Sequence, residues 1–112
     1  MANSKLMKGS LTTIILKLLE TEGKMYGYEI TQKAKALTQG DVQITEGALY
    51  PALHKLEAEG MLEVEVAMVD NRLRKYYKLT QQGEKEMVHR LAELEDFIRS
   101  MQQLLHLKWN RS

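Results

Sequence analysis

Apolar residues recur along this chain with two different periods, and the changes of period divide it into elements. Leu11, Ile14, Ile15, Leu18 and Leu19 stand at i, i+3, i+4, i+7 and i+8, which is one face of a helix. Ser10 is placed to cap it and Glu22-Gly23 to stop it. A second helix is expected from about Tyr26-Gly27 to Leu37, with Ile30, Ala34 and Leu37 turned inward, before a turn at Gln39-Gly40-Asp41. A third begins after Thr45, a good N-cap. It turns Leu49, Leu53 and Leu56 to the core, with Ala48 and Ala52 allowing close packing. Pro51 removes a hydrogen bond there and crowds the carbonyl four residues back. That residue is Gly47, so a bent or tight first turn is expected. Gly60 suits the left-handed conformation that closes a helix.

The period then falls to two. Leu62, Val64, Val66 and Met68 alternate with Glu63, Glu65, Ala67 and Val69, the pattern of a half-buried strand. Asp70-Asn71-Arg72 makes a turn, and Leu73 to Leu79 returns antiparallel with Tyr77 and Leu79 inward. Thr80 caps a last helix reaching about Leu107. On it Met87, Leu91, Leu94, Ile98, Met101 and Leu105 are spaced 4, 3, 4, 3, 4, an a/d seam over nearly three heptads. Val88, Phe97, Leu104 and Trp109 widen the stripe. Such a helix spans about 40 Å, too long for one small domain to cover, so its surplus is expected to meet a second copy instead of folding back on its own domain. The fold class is therefore mainly α with a small β-hairpin. A winged helix-turn-helix is expected over 1–79 and a long C-terminal dimerisation helix over 80–112.

At 112 residues and 44% apolar content, the chain can form one domain with an appended element, but leaves apolar surface that oligomerisation would cover. It has no cysteine, hence no disulfide framework and no thiolate zinc site. No apolar run approaches a membrane span, and Met1-Ala2-Asn3-Ser4-Lys5 lacks a signal core, so a soluble cytoplasmic protein is expected. The net charge of +1 hides a segregation. Residues 1–35 carry +3, residues 41–69 carry −5, residues 70–78 carry +3, and the rest balance. A short helix followed by a basic hairpin is a means of reading duplex DNA: the helix enters the major groove and the hairpin lies on backbone or minor groove.

Three blocks, in order, carry a resemblance. They are Tyr26-Gly27-Tyr28-Glu29-Ile30, then Glu46-Gly47-Ala48-Leu49-Tyr50-Pro51-Ala52-Leu53-His54-Lys55-Leu56-Glu57 with Gly60, and Arg74-Lys75-Tyr76-Tyr77-Lys78-Leu79-Thr80 with Gly83. From about Lys8 to Leu107 the chain resembles the PadR-like winged-helix transcriptional regulators, in particular the small subfamily with a single C-terminal helix. The resemblance implies a homodimer that represses genes, with the third helix in the major groove, the wing on backbone or minor groove, and the C-terminal helix dimerising. It also implies, for some relatives, release of DNA by an aromatic or drug-like ligand. The chain departs from the family at the wing tip, where Val69-Asp70-Asn71-Arg72-Leu73 stands in place of the usual Gly or Pro.

The stretch Thr45 to Lys55 is the one expected in the groove. Thr45, Tyr50, His54 and Lys55 can bond phosphate or base edges, Gly47 and Ala48 permit close approach, and Glu46 suits the helix dipole. Arg72, Arg74 and Lys75 are the phosphate or minor-groove candidates, with Tyr76 beside them. Tyr26 and Tyr28 begin the second helix and could offer backbone N–H groups to a phosphate. About four to five phosphate contacts per copy are too few alone, and two copies imply a salt slope of roughly −7 to −9. The expected dimer interface is Met87, Leu91, Leu94, Ile98, Met101 and Leu105. Phe97, Met101 and Trp109 could line an apolar site for an aromatic ligand. His54, His89 and His106 lack metal-ligand spacing and no nucleophile sits in a recognisable turn, so neither enzyme nor cofactor is expected. The competing reading is a winged helix that binds protein, which the acidic run 57–65 would suit.

Overall fold

The computed structural model of the chain describes residues 9–106. Its elements are α1 (Leu11–Glu22), β1 (Lys24–Tyr26), α2 (Gly27–Leu37), α3 (Glu46–Ala58), β2 (Leu62–Val69), β3 (Arg72–Leu79) and α4 (Gln81–His106). The two strands of the hairpin were expected; β1 was not. It joins the sheet in the order β1-β3-β2, pairing antiparallel with β3 through Lys24↔Lys78, Met25↔Tyr77 and Tyr26↔Tyr76. Three residues are too few for a period of two to register, so only the pairing reveals the strand.

α1, α2 and α3 bury most of the faces their spacing assigns. Ile15, Leu16, Leu19, Ile30, Leu49, Leu53 and Leu56 are essentially closed to solvent, and Met25, Leu62 and Tyr77 carry the core onto the sheet. Leu16 is buried although it lies off the stripe read from sequence, because α1 is covered by helices and sheet together. Leu37, expected inward, is 63% exposed. It is the last residue of α2 and overhangs the core. Ser10 occupies the N-cap of α1, but its side chain makes no capping bond. Helix α2 closes differently: the Thr38 hydroxyl donates to the Ala34 carbonyl (2.8 Å) and accepts from the Val42 N–H (2.9 Å).

Helix α3 runs unbroken through Pro51. Its first turn is tight, as expected, with Ala48 and Leu49 both donating to the Thr45 carbonyl at 3.1 and 2.9 Å. It ends in a Schellman arrangement, Gly60 N–H to Glu57 O (3.0 Å) and Met61 N–H to Leu56 O (2.9 Å), with Gly60 at φ +81°. The hairpin turn is a two-residue loop. Asp70 (φ +50°) and Asn71 (φ +63°) are both left-handed, the type I′ geometry that matches strand twist. Asp and Asn tolerate that region through local side-chain bonding, so the tip needs no glycine.

The alternation of β2 holds only at its base. Leu62 is buried and Val64 half-buried, whereas Val66 and Met68 are 58% and 67% exposed. The distal hairpin projects past the core, so the face that pairs Met68 with Leu73 meets solvent. Helix α4 divides likewise. Met87 is buried in the protomer's own core, Leu91 packs against it, and Leu94 is half-buried. Beyond Leu94 every described residue except Met101 is exposed, including Phe97, Ile98, Leu104 and Leu105. The expected end of this helix at Leu107, and Trp109, lie outside the described residues. No helix among the described residues is long and apolar enough to cross a membrane.

Helix α4 is joined to the wing at its cap. The Thr80 hydroxyl accepts from Gly83 N–H (3.0 Å) and donates to the Gly60 carbonyl (2.6 Å), while Thr80 N–H donates to the Met61 carbonyl (3.0 Å). A Cβ on Gly83 would strike that same Met61 carbonyl. Gly83→Ala is expected to cost about 1–3 kcal/mol, an overpacking effect against backbone. Gly47→Ala, whose Cβ would meet nothing nearer than Thr45 Oγ1 at 4.0 Å, is expected to raise stability by up to about 1 kcal/mol through helix propensity. Urea midpoints of the two variants, moving in opposite directions, check this.

Candidate nucleic-acid interface

Two elements carry the expected contacts: the solvent face of α3 and the distal hairpin. Alternate residues in α3 fall outward because Leu49, Leu53 and Leu56 take the inward positions. Glu46, Gly47, Pro51, His54 and Lys55 are exposed, and Ala48 is half-buried. At the head of the helix, the Thr45 hydroxyl oxygen accepts from Ala48 N–H (3.2 Å), which leaves its proton free to donate outward. Gly47 meets no packing demand, so its bare backbone is an opening towards solvent.

Tyr50 is less free than the sequence suggests. Its ring lies over the start of α2, where an ideal Cβ on Gly27 would stand 2.5 Å from the Tyr50 hydroxyl and 2.9 Å from Cζ. Gly27 therefore gives Tyr50 its seat, and Tyr50 is left 37% exposed. The glycine is visible in sequence as a helix start, but not as a partner of a residue 23 positions later.

At the start of α2, Tyr26 N–H donates to the Glu29 carboxylate (3.1 Å), which places a negative charge at that helix N-terminus. Tyr28 is 61% exposed and points away from the core. Lys33, on the outer side of the same helix, pairs with Glu22 (3.4 Å).

The positive charge of the hairpin divides into a paired base and an unpaired tip. Lys78 reaches Glu65 (3.0 Å) and Glu63 (3.4 Å), and Lys24 of β1 reaches Glu65 (2.9 Å). Hydrogen bonds from Lys24 and Lys78 hold the Glu65 carboxyl below the usual range, and donating to Glu65 raises Lys78. These groups are solvent-facing, so salt screens them. Arg72, Arg74 and Lys75 have no carboxylate partner among the described residues. Arg74 instead lies over the Tyr26 ring, its guanidinium carbon 4.0 Å from the centroid. Tyr76 meets the same ring edge-on, with centroids 5.6 Å apart and planes at 82°. Sequence reasoning missed this cluster because it depends on β1.

The acidic run 57–65 is likewise answered from within. Glu63 and Glu65 face the two lysines, and Glu59 lies 4.0 Å from Arg90 of α4. Arg90 also bonds Glu86 (2.8 Å) and the Thr12 hydroxyl of α1 (2.9 Å), and that bond lowers the Glu86 carboxyl. Phe97 shares an open groove with Thr12, Arg90 and Glu93, whereas Met101 lies outside it. Among the described residues no group of three or more His, Asp or Glu side chains is arranged to hold a metal.

Three helices with a two-stranded wing, closed by a third short strand, define a winged helix-turn-helix with an appended long helix. The model of the transcriptional regulator PadR-like family matches residues 15–89. The chain belongs to that family, whose members are transcriptional regulators and not enzymes. It is 32% identical to a transcriptional regulator of Mycobacterium tuberculosis, over 71% of this chain and 72% of that one. A transcriptional regulator from Clostridium thermocellum superposes with a TM-score of 0.82 at 31% identity, covering 92% and 97% of the two chains. Bacillus subtilis PadR, solved in complex with operator DNA, superposes with a TM-score of 0.66 at 30% identity over 72% of this chain and 46% of that longer one.

Gly27→Ala is expected to fold and to push the Tyr50 ring into solvent, since the colliding atoms are the far end of a side chain. Nitration of Tyr50 by tetranitromethane, mapped by mass spectrometry, should then be faster than in the parent chain.

Proposed function

We propose that this chain is a sequence-specific double-stranded DNA-binding regulator that acts as a homodimer and represses the genes whose near-palindromic operators it occupies. The observation that carries the proposal is the hairpin tip. Among the described residues Arg72, Arg74 and Lys75 have no acidic partner, while neighbouring Lys78 and Lys24 are paired. Cations grouped on a projecting ribbon, with a helix whose outward face carries His54 and Lys55 and opens at Gly47, suit a phosphate backbone flanking a groove. The similarity to PadR bound to operator DNA supports the same reading. A protein-binding role would draw on the acidic run, and three of its four glutamates already face cations within the protomer.

Dimerisation is supported by the distal half of α4, where Phe97, Ile98, Leu104 and Leu105 are exposed. A pair would hold two copies of α3 about one helical turn of DNA, roughly 34 Å, apart. An aromatic or drug-like ligand near Phe97 and Met101 would act on that same junction and release the operator.

Fluorescence anisotropy with a duplex from upstream of the chain's own gene tests the reading. Arg72→Ala is expected to weaken binding to all sequences alike. It removes two phosphate contacts per dimer, so the dependence of log affinity on log salt should flatten by roughly 2. An unchanged slope would count against a phosphate contact. Ile98→Asp, in a residue with little contact in its own protomer, is expected to give a folded monomer by sedimentation and to abolish operator-specific binding. Undiminished specific binding by that monomer would remove the dimer from the mechanism.

A further inference from the structure

Arg74 and Tyr26 are separated by 48 positions and meet only because β1 pairs with β3. Directly opposed residues of antiparallel strands share a face. Tyr26 and Tyr76 therefore stand side by side on the outer face of the sheet, with Lys24 and Lys78 one pair further on. Arg74 precedes Tyr76 by two residues and projects from that same face. Its guanidinium carbon stands over the Tyr26 ring, 4.0 Å from the centroid.

The platform is itself held in place. The Tyr26 backbone is fixed by strand pairing and by the N–H bond to Glu29 (3.1 Å). Its ring is buttressed edge-on by Tyr76, and Lys24 Nζ lies 5.6 Å from the Tyr76 centroid. Lys24 is in turn tied to Glu65 (2.9 Å). Arg72, the neighbouring outer-face arginine, has no such support among the described residues.

We propose that Tyr26 is a positioning residue for DNA binding: it seats the face of the Arg74 guanidinium so that the N–H edge is presented, pre-oriented, to a backbone phosphate. The role rests on the DNA-binding reading above. The chemistry follows from the shape of the group. Stacking on an aromatic face engages the flat face of a guanidinium, whereas its five N–H donors lie in the plane and stay available for a bidentate bond to phosphate oxygens. An acidic partner would have oriented Arg74 as well, but would have occupied those donors and neutralised the charge. Lysine cannot do the same, because an ammonium has no flat face distinct from its donors. Tyr26 also belongs to the turn that starts α2. The platform thus registers the wing against the helix-turn-helix outside the hydrophobic core.

Binding of the full chain to the labelled upstream duplex, measured by anisotropy, tests this with a double-mutant cycle. An exposed cation–π contact corresponds to roughly two- to fivefold in affinity, and a dimer carries two. Tyr26→Leu is therefore expected to weaken binding on the order of 4- to 25-fold, and Tyr26→Phe, which keeps the ring, to bind as the parent does. In an Arg74→Ala background, Tyr26→Leu should add nothing. A loss in Tyr26→Phe equal to that of Tyr26→Leu would mean the hydroxyl itself touches DNA, and overturns the proposal. So would a Tyr26→Leu penalty that persists without Arg74. Proton NMR of the free parent chain gives a reading independent of any variant's stability. The Arg74 side-chain protons should be shifted upfield by the Tyr26 ring current, and unshifted resonances overturn the platform. Failure of the parent chain itself to bind duplex would instead overturn the regulator reading and this role with it.

Discussion

The backbone around Met61 carries the arrangement of everything that could touch DNA. Four element ends converge there: α3 finishes at Ala58, β2 starts at Leu62, β3 ends at Leu79 and α4 starts at Gln81. The Met61 N–H is given to Leu56 to close α3, and the Met61 carbonyl takes the Thr80 N–H. The Thr80 hydroxyl bridges the remaining gap, donating to the Gly60 carbonyl and accepting from Gly83. Each group here would otherwise be an unsatisfied terminus of a helix or a strand. One threonine therefore ends the wing, starts the last helix, and ties both to the end of the helix that faces outward. Two glycines are required for different reasons: Gly60 for its left-handed backbone, Gly83 for the nearness of the Met61 carbonyl.

Electrostatics on the sheet follow a similar economy. The ladder Glu63, Lys78, Glu65, Lys24 neutralises itself at the base of the wing, where cross-strand neighbours are close enough to pair. Beyond it the register places Arg74 opposite Ala67 and Arg72 opposite Val69. Apolar residues stand directly opposite both arginines, so neither faces an acid across the ladder as Lys78 faces Glu63. The acidic and basic runs of the sequence are thus not two patches. They interleave at the base and leave an excess of positive charge only at the tip.

Much of this was legible in the sequence, because the long elements have long periods. The helical stripes of α1 and α3, Thr45 and Thr80 as caps, Gly60 as a stop, and the hairpin turn were all readable from local rules. What was not readable depended on partners far along the chain. β1 is too short to show a period, and with it went the stack of Arg74 on Tyr26. Gly27 was seen as a helix start, while the Tyr50 ring that requires it comes from α3. The alternation of β2 predicts a half-buried strand throughout. Periodicity reports which face a side chain takes, but not whether anything covers that face, and Val66 and Met68 are exposed.

The same distinction bears on α4. Its apolar seam is continuous in sequence, yet beyond Leu94 the described residues leave all of it exposed except half-buried Met101. Met87 belongs to the domain core, so the part available to a partner begins about two turns later than the heptad pattern implies. The N-terminal turn of α4 is bonded to the end of α3 and to the wing, and Arg90 ties its next turns to Thr12 and Glu59, so the proximal helix is fixed to the winged-helix domain. In the proposed dimer, the separation of the two heads is then set by how far beyond Leu94 the exposed residues of the two copies engage. A ligand wedged beside Phe97 would change that engagement without disturbing either α3 or the Met61 junction.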